Sequence, residues 1–288
     1  MVKNMEQKYI IENQESFNSV HIFECGQCFR WNRQEDNSYT GIFKNNVINV
    51  KEEENKIVFT GICKNDIKEE CIRYFDLKEN YENIKNKLSK IDEYLANSIK
   101  YGEGIRILHQ DLWETLISFI ISANNNIPRI KTIIERMSKN YGQAIEFRGK
   151  QYYTFPTPEE LSKVTVENYR KLGLGFRDVR VYETVQKTLS KEIDLDKLRI
   201  ETNIDLLREE LLKIPGVGPK VADCIMLFAL KKYQVFPIDV WVKRVISELY
   251  FENQEQKPKI IQKFAKEHYG ELAGLAQQYL FYWRRDTA

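Results

Sequence analysis

One segment of the chain, from Leu211 to Leu230, combines residues that could bind an anion with residues that could react. Gly216 and Gly218 stand between two apolar helical patterns, and without side chains they let backbone N–H groups approach a phosphate closely. A helix that begins near Pro219 would add the partial positive charge of its N-terminus. The pattern predicts a helical hairpin that cradles a phosphate; glycines that serve only the turn are the alternative.

Two ionisable side chains accompany this hairpin. Lys220 falls in the first turn of the second helix, where the helix dipole disfavours the protonated form and favours a nucleophilic amine. Asp239 follows a β-favouring segment, Tyr233–Phe236, and stands where it would cap the next helix. A solvated lysine and a purely structural cap are the ordinary interpretations. With a phosphate cradle beside them, the amine and the acid fit Schiff-base chemistry on the sugar of a nucleic acid.

The elements that must position these groups change type along the chain. Between residues 18 and 62, short alternating stretches separated by polar turns predict an antiparallel meander. From about residue 66, apolar residues recur at helical spacing nearly to the end. Helix starts are predicted at Asp111, at Thr157 and at Thr202 or Asn203. The predicted strands are Val20–Phe23, Cys28–Trp31, Tyr39–Phe43, Val47–Val50 and Lys56–Thr60.

Composition is that of an ordinary globular protein with ample material for a core. The 288 residues are 42% apolar and 30% charged, with a mean hydropathy of -0.52, which excludes a disordered tail and a membrane protein. The apolar run Leu116–Ala123 is far shorter than the roughly 20 residues of a spanning helix. The first residues lack the apolar core of a secretory signal, so we expect a protein that is not secreted.

Charge and cysteine content say little in favour of particular partners. The formal net charge is +2, from 44 basic and 42 acidic residues, and gives by itself no support for a polyanionic partner. Five cysteines at irregular spacings indicate reduced thiols in a cytosol-like compartment. Cys25 and Cys28 form a C-x-x-C pair, but no second pair completes a zinc site, so metal or redox use is the minor alternative.

Several segments together resemble one family of DNA repair enzymes. Ile214–Asp223, followed by Pro237–Val240, is similar to the helix-hairpin-helix and Gly/Pro-Asp signature of the DNA glycosylase superfamily. The set as a whole resembles, more narrowly, the 8-oxoguanine DNA glycosylase family. The further matching segments, in the family's order, are Gly26–Trp31, Ser118–Ile120, Asn124–Arg129, Lys171–Arg177 and Ala273–Phe281.

The resemblance implies a bifunctional enzyme, a DNA N-glycosylase with AP lyase activity. In that family the lysine at the position of Lys220 attacks C1′, expels the damaged base and leaves a Schiff base that can break the strand by β-elimination. The acid at the position of Asp239 stabilises charge on the sugar. The substrate implied is 8-oxoguanine in duplex DNA, flipped out of the helix.

The resemblance also implies a base pocket. The carbonyl of Gly26 would accept the N7 hydrogen that oxidised guanine has and guanine lacks. Gln277 would bind the Watson–Crick edge, with Phe281 and Cys224 on the two faces of the base and Pro237 in the same pocket. Cys224 lies four residues after Lys220, so a helix would present both on one face.

Further positions correspond to DNA contacts. Four residues would fill the gap left by the flipped base and contact the orphaned cytosine: Asn124, Arg129, Phe176 and Arg177. Phe176 stands where the family usually has tyrosine, so we expect looser discrimination of the opposite base. The remaining implied contacts are Gly216, Gly218, Val240 and Trp241. Trp241 stands where the family usually has a histidine that contacts a phosphate. Its indole N–H, or stacking by its ring, would have to take over that contact.

The implied cofactors are few. The carbonyls of Leu212, Ile214 and Val217 correspond to a site for Na⁺ or K⁺, and no cofactor is required for the reaction. No cysteine follows Cys224, so the iron–sulfur cluster of related branches cannot be built. Near-neutral charge, with placed cations such as Arg129, Arg177 and Lys243, predicts a short set of phosphate contacts.

We therefore predict an α+β fold with an N-terminal antiparallel β domain and two mostly helical subdomains that contain the hairpin. The predicted ranges are 1–97, 98–204 and 205–288, with the C-terminal helix packed back on the β domain so that Gly26 and Gln277 meet. The expected partner is duplex DNA containing 8-oxoguanine. We expect the protein to be a monomer that does not bind a membrane. The expected location is the cytoplasm or nucleoid of a bacterium, or the nucleus of a eukaryote.

Two alternatives remain open on the sequence. The chain could be a non-catalytic hairpin module that grips DNA for another machine, although Lys220 and Asp239 together argue against it. It could also be a glycosylase for a different lesion. Borohydride trapping separates the first alternative, and a panel of lesion duplexes separates the second.

Overall fold

A computed structural model describes residues 5–287 and begins with an antiparallel sheet. The five strands lie in the order β1-β5-β4-β3-β2, and every neighbouring pair is antiparallel. Helices make up most of the described residues that follow, so the predicted α+β class is confirmed. The strands are β1 Gln7–Glu12, β2 Trp31–Arg33, β3 Tyr39–Phe43, β4 Asn46–Glu53 and β5 Lys56–Ile62.

The predicted strand Val20–Phe23 is wrong, because this segment is a helix, α1 (Ser19–Glu24). Asn18 caps it by accepting a hydrogen bond from the His21 N–H at 3.1 Å. Ser19, Ile22 and Phe23 are buried, and the spacing of three and four residues puts them on one helical face. Of the next predicted strand only Trp31 belongs to the sheet.

The structure adds strands that the sequence analysis missed. β1 precedes the predicted meander, and a hairpin of β6 (Ala144–Phe147) and β7 (Lys150–Tyr153) interrupts the helical region. Both residues of its turn, Arg148 and Gly149, have positive φ, the geometry of a tight two-residue hairpin. Phe147 packs with Ile42, Val47 and Ile62 of the sheet. The hairpin therefore joins the helical part to the outer face of the β domain.

The helices begin mostly where capping residues predict. Asp111 and Asn203 cap α5 and α10 through their side chains, as expected. Within residues 5–287, no helix combines the length and apolar character needed to cross a bilayer. The helices after α1 are α2 Ile67–Tyr74, α3 Tyr81–Leu88, α4 Glu93–Tyr101, α5 Leu112–Ser122, α6 Ile127–Tyr141, α7 Val166–Leu172, α8 Asp178–Leu189, α9 Leu195–Ile200, α10 Ile204–Leu212, α11 Pro219–Leu230, α12 Val240–Tyr250, α13 Pro258–Tyr269 and α14 Ala273–Thr287.

The helix predicted after Thr157 does not form. Its capping bonds are present, since Glu160 N donates to Thr157 Oγ1 at 3.2 Å and Thr157 N donates to Glu160 Oε2 at 2.9 Å. Only turns follow, until Thr165 begins α7 with a capping box of its own. The local start signal therefore forms its bonds without a helix after it.

α11 lies at the centre of the helical core, and its last turn is tied to the β domain. Its residues from Val221 to Phe228 are all buried. Gln110 N donates to the carbonyl of Phe228 at 3.0 Å, and just beyond the helix the Tyr233 hydroxyl donates to Asp76 at 3.0 Å. The predicted domain limits fall inside α4, at residue 97, and at the first residue of α10, residue 204.

Candidate active site

The predicted hairpin is present between α10 and α11. Gly216 adopts a φ of +84°, and Val217 N donates to the Ile214 carbonyl at 3.0 Å to close the turn. A Cβ on Gly216 would lie 2.9 Å from Arg180 Cδ and 3.2 Å from Ile120 Cγ2, so both conformation and space require glycine there. A Cβ on Gly218 would meet nothing within 4 Å. Gly218 therefore opens the surface in front of α11.

α11 begins as predicted, with Pro219 at its first position and Gly218 as an N-cap that makes no side-chain bond. The first N–H groups of α11 therefore make no hydrogen bond to a side chain of the N-cap residue. Pro219 lacks an N–H and costs nothing at a position where that group would have no helical partner. The hairpin has the local geometry of an anion-binding helix start.

Lys220 is half-buried in the first turn of α11 and lies over an aromatic ring. Its Nζ is 5.1 Å from the ring centroid of Phe119, a residue of α5 that is itself buried. The Phe119 ring stacks on Phe228, with centroids 5.7 Å apart. The lysine is therefore held above a fixed apolar floor, which the sequence analysis did not anticipate.

The charges of Lys220 and Asp239 both act on the buried thiol of Cys224. Burial raises the pKa of the Cys224 thiol to about 11; Lys220 lowers this pKa, and Asp239 raises it. The thiol is 3% exposed and lies one turn after Lys220 on the same face of α11, as the spacing predicts. The amine and the carboxylate thus act in opposite directions on the pKa of one thiol.

Asp239 is the N-cap of α12, as predicted. Its Oδ1 accepts a hydrogen bond from Val242 N at 2.8 Å, and the residue is half-buried. This hydrogen bond holds the carboxylate through Oδ1, and Oδ2 takes no part in it. Pro237 is buried two residues earlier, in the loop that leads from α11 to α12.

The loop that carries Gly26 meets the C-terminal helix. Gly26 has a φ of +88°, and a Cβ on it would lie 3.3 Å from Phe281 Cε1 of α14. Gln277 lies one turn before Phe281 on the same face of α14 and is 5% exposed. Its Oε1 accepts a bond from Gln278 Nε2 at 2.8 Å. Residues more than 250 positions apart in sequence therefore form one wall.

Gln27 holds the Gly26 loop in shape. This fully buried side chain donates from Nε2 to the carbonyls of Ile22 and Arg106, at 2.9 and 2.7 Å. Its Oε1 accepts from Leu108 N at 2.8 Å. A buried amide with these three partners is well satisfied, so the backbone next to Gly26 is rigidly placed. The match to the family included Gln27, but nothing in the sequence indicated this role.

Phe176 is exposed and Arg177 is not. Phe176, in the 3₁₀ turn Gly175–Arg177, is 55% exposed, so this ring is not part of the core. Arg177 is 2% exposed and donates to the carbonyls of Ala123 and Asn124. Its predicted contact with an orphaned cytosine is not available in this conformation, because loop carbonyls occupy its donors.

The other predicted contacts of this face are exposed. Asn124 has a φ of +50° in the turn after α5 and is exposed. Arg129 is exposed in the first turn of α6 and donates from Nη2 to the Gly173 carbonyl at 3.1 Å. Both side chains can reach a ligand that approaches Phe176.

The first turn of α12 meets the prediction only in part. Val240 is 68% exposed and faces solvent. The indole Nε1 of Trp241 is buried and has no acceptor among the described residues. A phosphate contact through this N–H is therefore incompatible with this conformation, because the donor does not reach the surface.

The surface cations differ from those predicted. Lys243 pairs with Glu255. Arg180, which the sequence analysis missed, is exposed and pairs with no carboxylate among residues 5–287. Its guanidinium lies 5.3 Å from the Phe176 ring centroid, and its Cδ adjoins Gly216. Arg180 thus connects the hairpin with the exposed ring, and its spacing of four residues from Phe176 was the available signal.

The C-x-x-C pair lies in the core. Cys25 and Cys28 form no disulfide and are buried, as are the other three cysteines. Burial raises the pKa of the Cys25 thiol to about 11 and that of Cys28 further. Among residues 5–287, no cluster of three or more His, Cys, Asp or Glu side chains could hold a metal ion. Both thiols serve as core residues.

The fold and the hairpin define a protein of the helix-hairpin-helix class. Residues 117–270, more than half of the chain, match the sequence model of the HhH-GPD superfamily base excision DNA repair proteins. Residues 9–116 match that of the 8-oxoguanine DNA glycosylase N-terminal domain. The chain therefore belongs to the 8-oxoguanine DNA glycosylase family, as the sequence motifs predicted.

Individual relatives agree with this assignment. The N-glycosylase/DNA lyase of Saccharomyces cerevisiae is 35% identical over 259 residues, which cover 80% of this chain and 68% of the yeast chain. The Clostridium acetobutylicum 8-oxoguanine glycosylase/lyase, solved with double-stranded DNA containing cytosine opposite 8-oxoguanine, is 42% identical with a TM-score of 0.93. That similarity covers 100% of this chain and 99% of the clostridial one.

Proposed function

We propose that this protein removes 8-oxoguanine from duplex DNA and cleaves the strand at the resulting site, with Lys220 as the nucleophile. The observation that carries the proposal is the geometry of two groups: Lys220 is half-buried over the Phe119 ring in the first turn of α11, and Asp239 is fixed as the N-cap of α12. The family and its named glycosylase/lyase relatives supply the reaction. Duplex DNA is accordingly the partner of this chain.

In the first step, the unprotonated amine of Lys220 forms a bond to C1′ of the flipped nucleotide. The N-glycosidic bond breaks, and the base leaves with the bonding electrons and takes up a proton. The sugar carries positive charge in the transition state, and the Asp239 carboxylate, fixed by its cap, stabilises this charge. Loss of the amine proton and opening of the sugar ring then give the Schiff base.

In the second step, the Schiff base makes the C2′ proton acidic. A base removes that proton, a C2′–C3′ double bond forms, and the 3′ phosphate leaves with the electrons of the C3′–O bond. Water then hydrolyses the imine and returns Lys220 to its starting form. The covalent route divides one difficult displacement into easier steps, which is the gain of an amine nucleophile over water.

Base recognition rests on the wall formed by the Gly26 loop and α14. The carbonyl of Gly26 would accept the N7–H of 8-oxoguanine, whereas N7 of guanine presents a lone pair to it. Gln277 would bind the Watson–Crick edge, and the rings and thiol of Phe281, Cys224 and Pro237 would enclose the base. The contact of Gly26 with Phe281 and the burial of Gln277 support this arrangement.

DNA would be held by the hairpin and by the exposed turn residues. The N–H groups near Gly216 and Gly218 suit a phosphate, and Val240, exposed at the start of α12, would offer a further contact. Phe176 would fill the gap left by the flipped base, with Asn124 and Arg129 beside it. Arg177 would reach the orphaned cytosine only after it leaves the carbonyls of Ala123 and Asn124.

A monovalent cation would fit the hairpin. The carbonyl oxygens of Leu212, Ile214 and Val217 are hard ligands that suit Na⁺ or K⁺, and Ile214 spends one lone pair on Val217 N. A bound cation would add positive charge where a phosphate approaches. No other cofactor, and no iron–sulfur cluster, enters the proposal. The enzyme would act in the nucleoid of a bacterial host or the nucleus of a eukaryotic one.

A lesion panel tests the substrate. Single-turnover excision would be measured on duplexes that carry 8-oxoguanine, 3-methyladenine, uracil or an unmodified guanine in one sequence context. We expect 8-oxoguanine to be released fastest and unmodified guanine not at all. Faster release of any other base would overturn the assignment of the substrate while leaving the lysine chemistry intact.

A further inference from the structure

The base pocket is built from two parts of the chain that must be held together. Its recognition group is a backbone carbonyl of the β domain, whereas its aromatic wall belongs to α14 of the helical part. A carbonyl recognises a hydrogen only if its position is fixed within a few tenths of an ångström. A contact that ties the Gly26 loop directly to α14 would therefore set the selectivity of the pocket.

Arg285 makes such a contact. It lies one turn after Phe281, so Gln277, Phe281 and Arg285 follow one another along one face of α14. Arg285 Nη1 donates to the carbonyl of Glu24 at 2.6 Å, two residues before Gly26. The guanidinium also lies 5.9 Å from the Phe281 ring centroid. One side chain thus touches both the loop and the ring of the pocket.

The accepting carbonyl has no partner within its own helix. Glu24 is the last residue of α1, and the last carbonyls of a helix lack intrahelical donors. The Glu24 carboxylate accepts a hydrogen bond from the Tyr39 hydroxyl, which anchors the same residue in the sheet. Arg285 therefore binds a point that is already rigid with respect to the β domain.

The guanidinium is itself oriented. Asp286 Oδ1 lies 2.7 Å from Arg285 Nε, and the Tyr282 ring centroid lies 5.1 Å from the guanidinium carbon. The Arg285 side chain is 30% exposed, so its removal would not open a cavity in the core. Its neighbour Arg284 points elsewhere and pairs with Glu248 of α12. The two arginines offer a matched comparison.

We propose that Arg285 is a positioning residue for base recognition: it holds the Gly26 carbonyl at the distance from Phe281 that 8-oxoguanine requires. The proposal rests on the proposed function of this same pocket. Arg285 touches neither Lys220 nor the hairpin in the described contacts, so it should affect recognition of the base and not the chemistry of the sugar.

The test compares two reactions of one enzyme. Excision of 8-oxoguanine needs the base pocket, whereas strand cleavage at a preformed abasic site needs only the lysine. For Arg285→Gln we expect single-turnover excision to fall about tenfold or more, with cleavage of the abasic site within about twofold of the unaltered enzyme. Arg285→Lys should recover part of the loss, and Arg284→Gln should not separate the two rates.

Each other result decides against the inference. An equal fall of both rates in Arg285→Gln would show a general structural role, and unchanged excision would show no role. The abasic-site rate also reports whether the variant folds. If the unaltered enzyme cleaved abasic sites but released no 8-oxoguanine, both the proposed substrate and the inference about Arg285 would be wrong. If the unaltered enzyme released 8-oxoguanine and only the variants departed from expectation, the proposed function would stand.

Discussion

Arg177 donates hydrogen bonds to the carbonyls of Ala123 and Asn124 and so joins the turn after α5 to the exposed ring of Phe176. The guanidinium is almost entirely buried by these contacts. Asn124 adopts a left-handed backbone conformation in that turn, which disfavours most residues with a side chain. In the free protein, Arg177 is thus a structural brace for a surface that is otherwise presented to DNA.

Arg177 and Arg129 should respond differently to removal. Arg177→Ala removes a buried side chain that donates to the carbonyls of Ala123, Asn124 and Leu174, and should lower the free energy of unfolding by about 2–4 kcal/mol. Arg129→Ala removes an exposed charge and should change it by less than about 0.5 kcal/mol while weakening binding to lesion duplex. Urea unfolding and DNA titration measure the two effects. Equal losses of stability would contradict the assignment of Arg177 as a brace.

Phe176 should give loose discrimination of the opposite base. Its ring can fill the gap in the duplex, but it has no hydroxyl with which to bind a particular base. We expect excision rates opposite C, A, G and T to differ less than in Phe176→Tyr, which restores the hydroxyl. Single-turnover rates on four matched duplexes decide the point. A strict preference for cytosine in the unaltered enzyme would refute this expectation.

The salt dependence of DNA binding should be modest and should depend on Arg180. Few exposed cations surround the hairpin, because Arg177 and Lys243 are engaged within the protein. Arg180→Ala should reduce the slope of log K against log salt by about one, as expected for one lost phosphate contact. Arg33→Ala, on the β domain, serves as the control. A slope that indicates about ten or more neutralised phosphates would contradict this picture.

Stability should depend on pH through Glu114. Burial raises the pKa of this carboxyl to about 7, even though Arg30 nearby opposes the shift. A raised pKa means that the folded state prefers the proton, so the contribution is complete below pH 4.5, the ordinary value, and is lost as pH rises to about 7. Ionisation should therefore cost the fold on the order of 2–3 kcal/mol.

Glu114→Gln removes this dependence. The free energy of unfolding of the variant, minus that of the unaltered protein, should rise between pH 4.5 and 7 and stay level above pH 7. Urea titrations at several pH values measure it, and Glu209→Gln, at an exposed glutamate, is the control. A difference that stays flat across this range would mean that Glu114 ionises normally in the folded protein.

Local signals in the sequence predict the backbone geometry of the hairpin segment well. The glycines, Pro219 and the capping position of Asp239 each specify backbone geometry within a few residues, and the structure places all of them as expected. The same kind of signal misled at Thr157, where the capping bonds form but no helix follows. At Val20–Phe23 an apolar run was taken for a strand although Asn18 could cap a helix.

Contacts between residues distant in sequence could not be predicted from local sequence patterns. Whether Arg177 faces solvent depends on where the turn at Asn124 lies, which no local pattern specifies. Arg285 acquires its contact with Glu24 only when α14 packs on the β domain. Arg180 and Phe119 likewise matter through neighbours from other elements. Side chains of this kind look like ordinary surface or core residues until tertiary structure is known.

Borohydride trapping tests whether Lys220 forms a covalent intermediate with DNA. With 8-oxoguanine duplex and borohydride, the unaltered enzyme should give a covalent protein–DNA adduct. Lys220→Gln should give none while still binding the duplex, and Lys213→Gln, at an exposed lysine of the same hairpin, should trap normally. An unaltered enzyme that binds but never traps, or a Lys220→Gln variant that traps as well as the unaltered enzyme, would contradict the account.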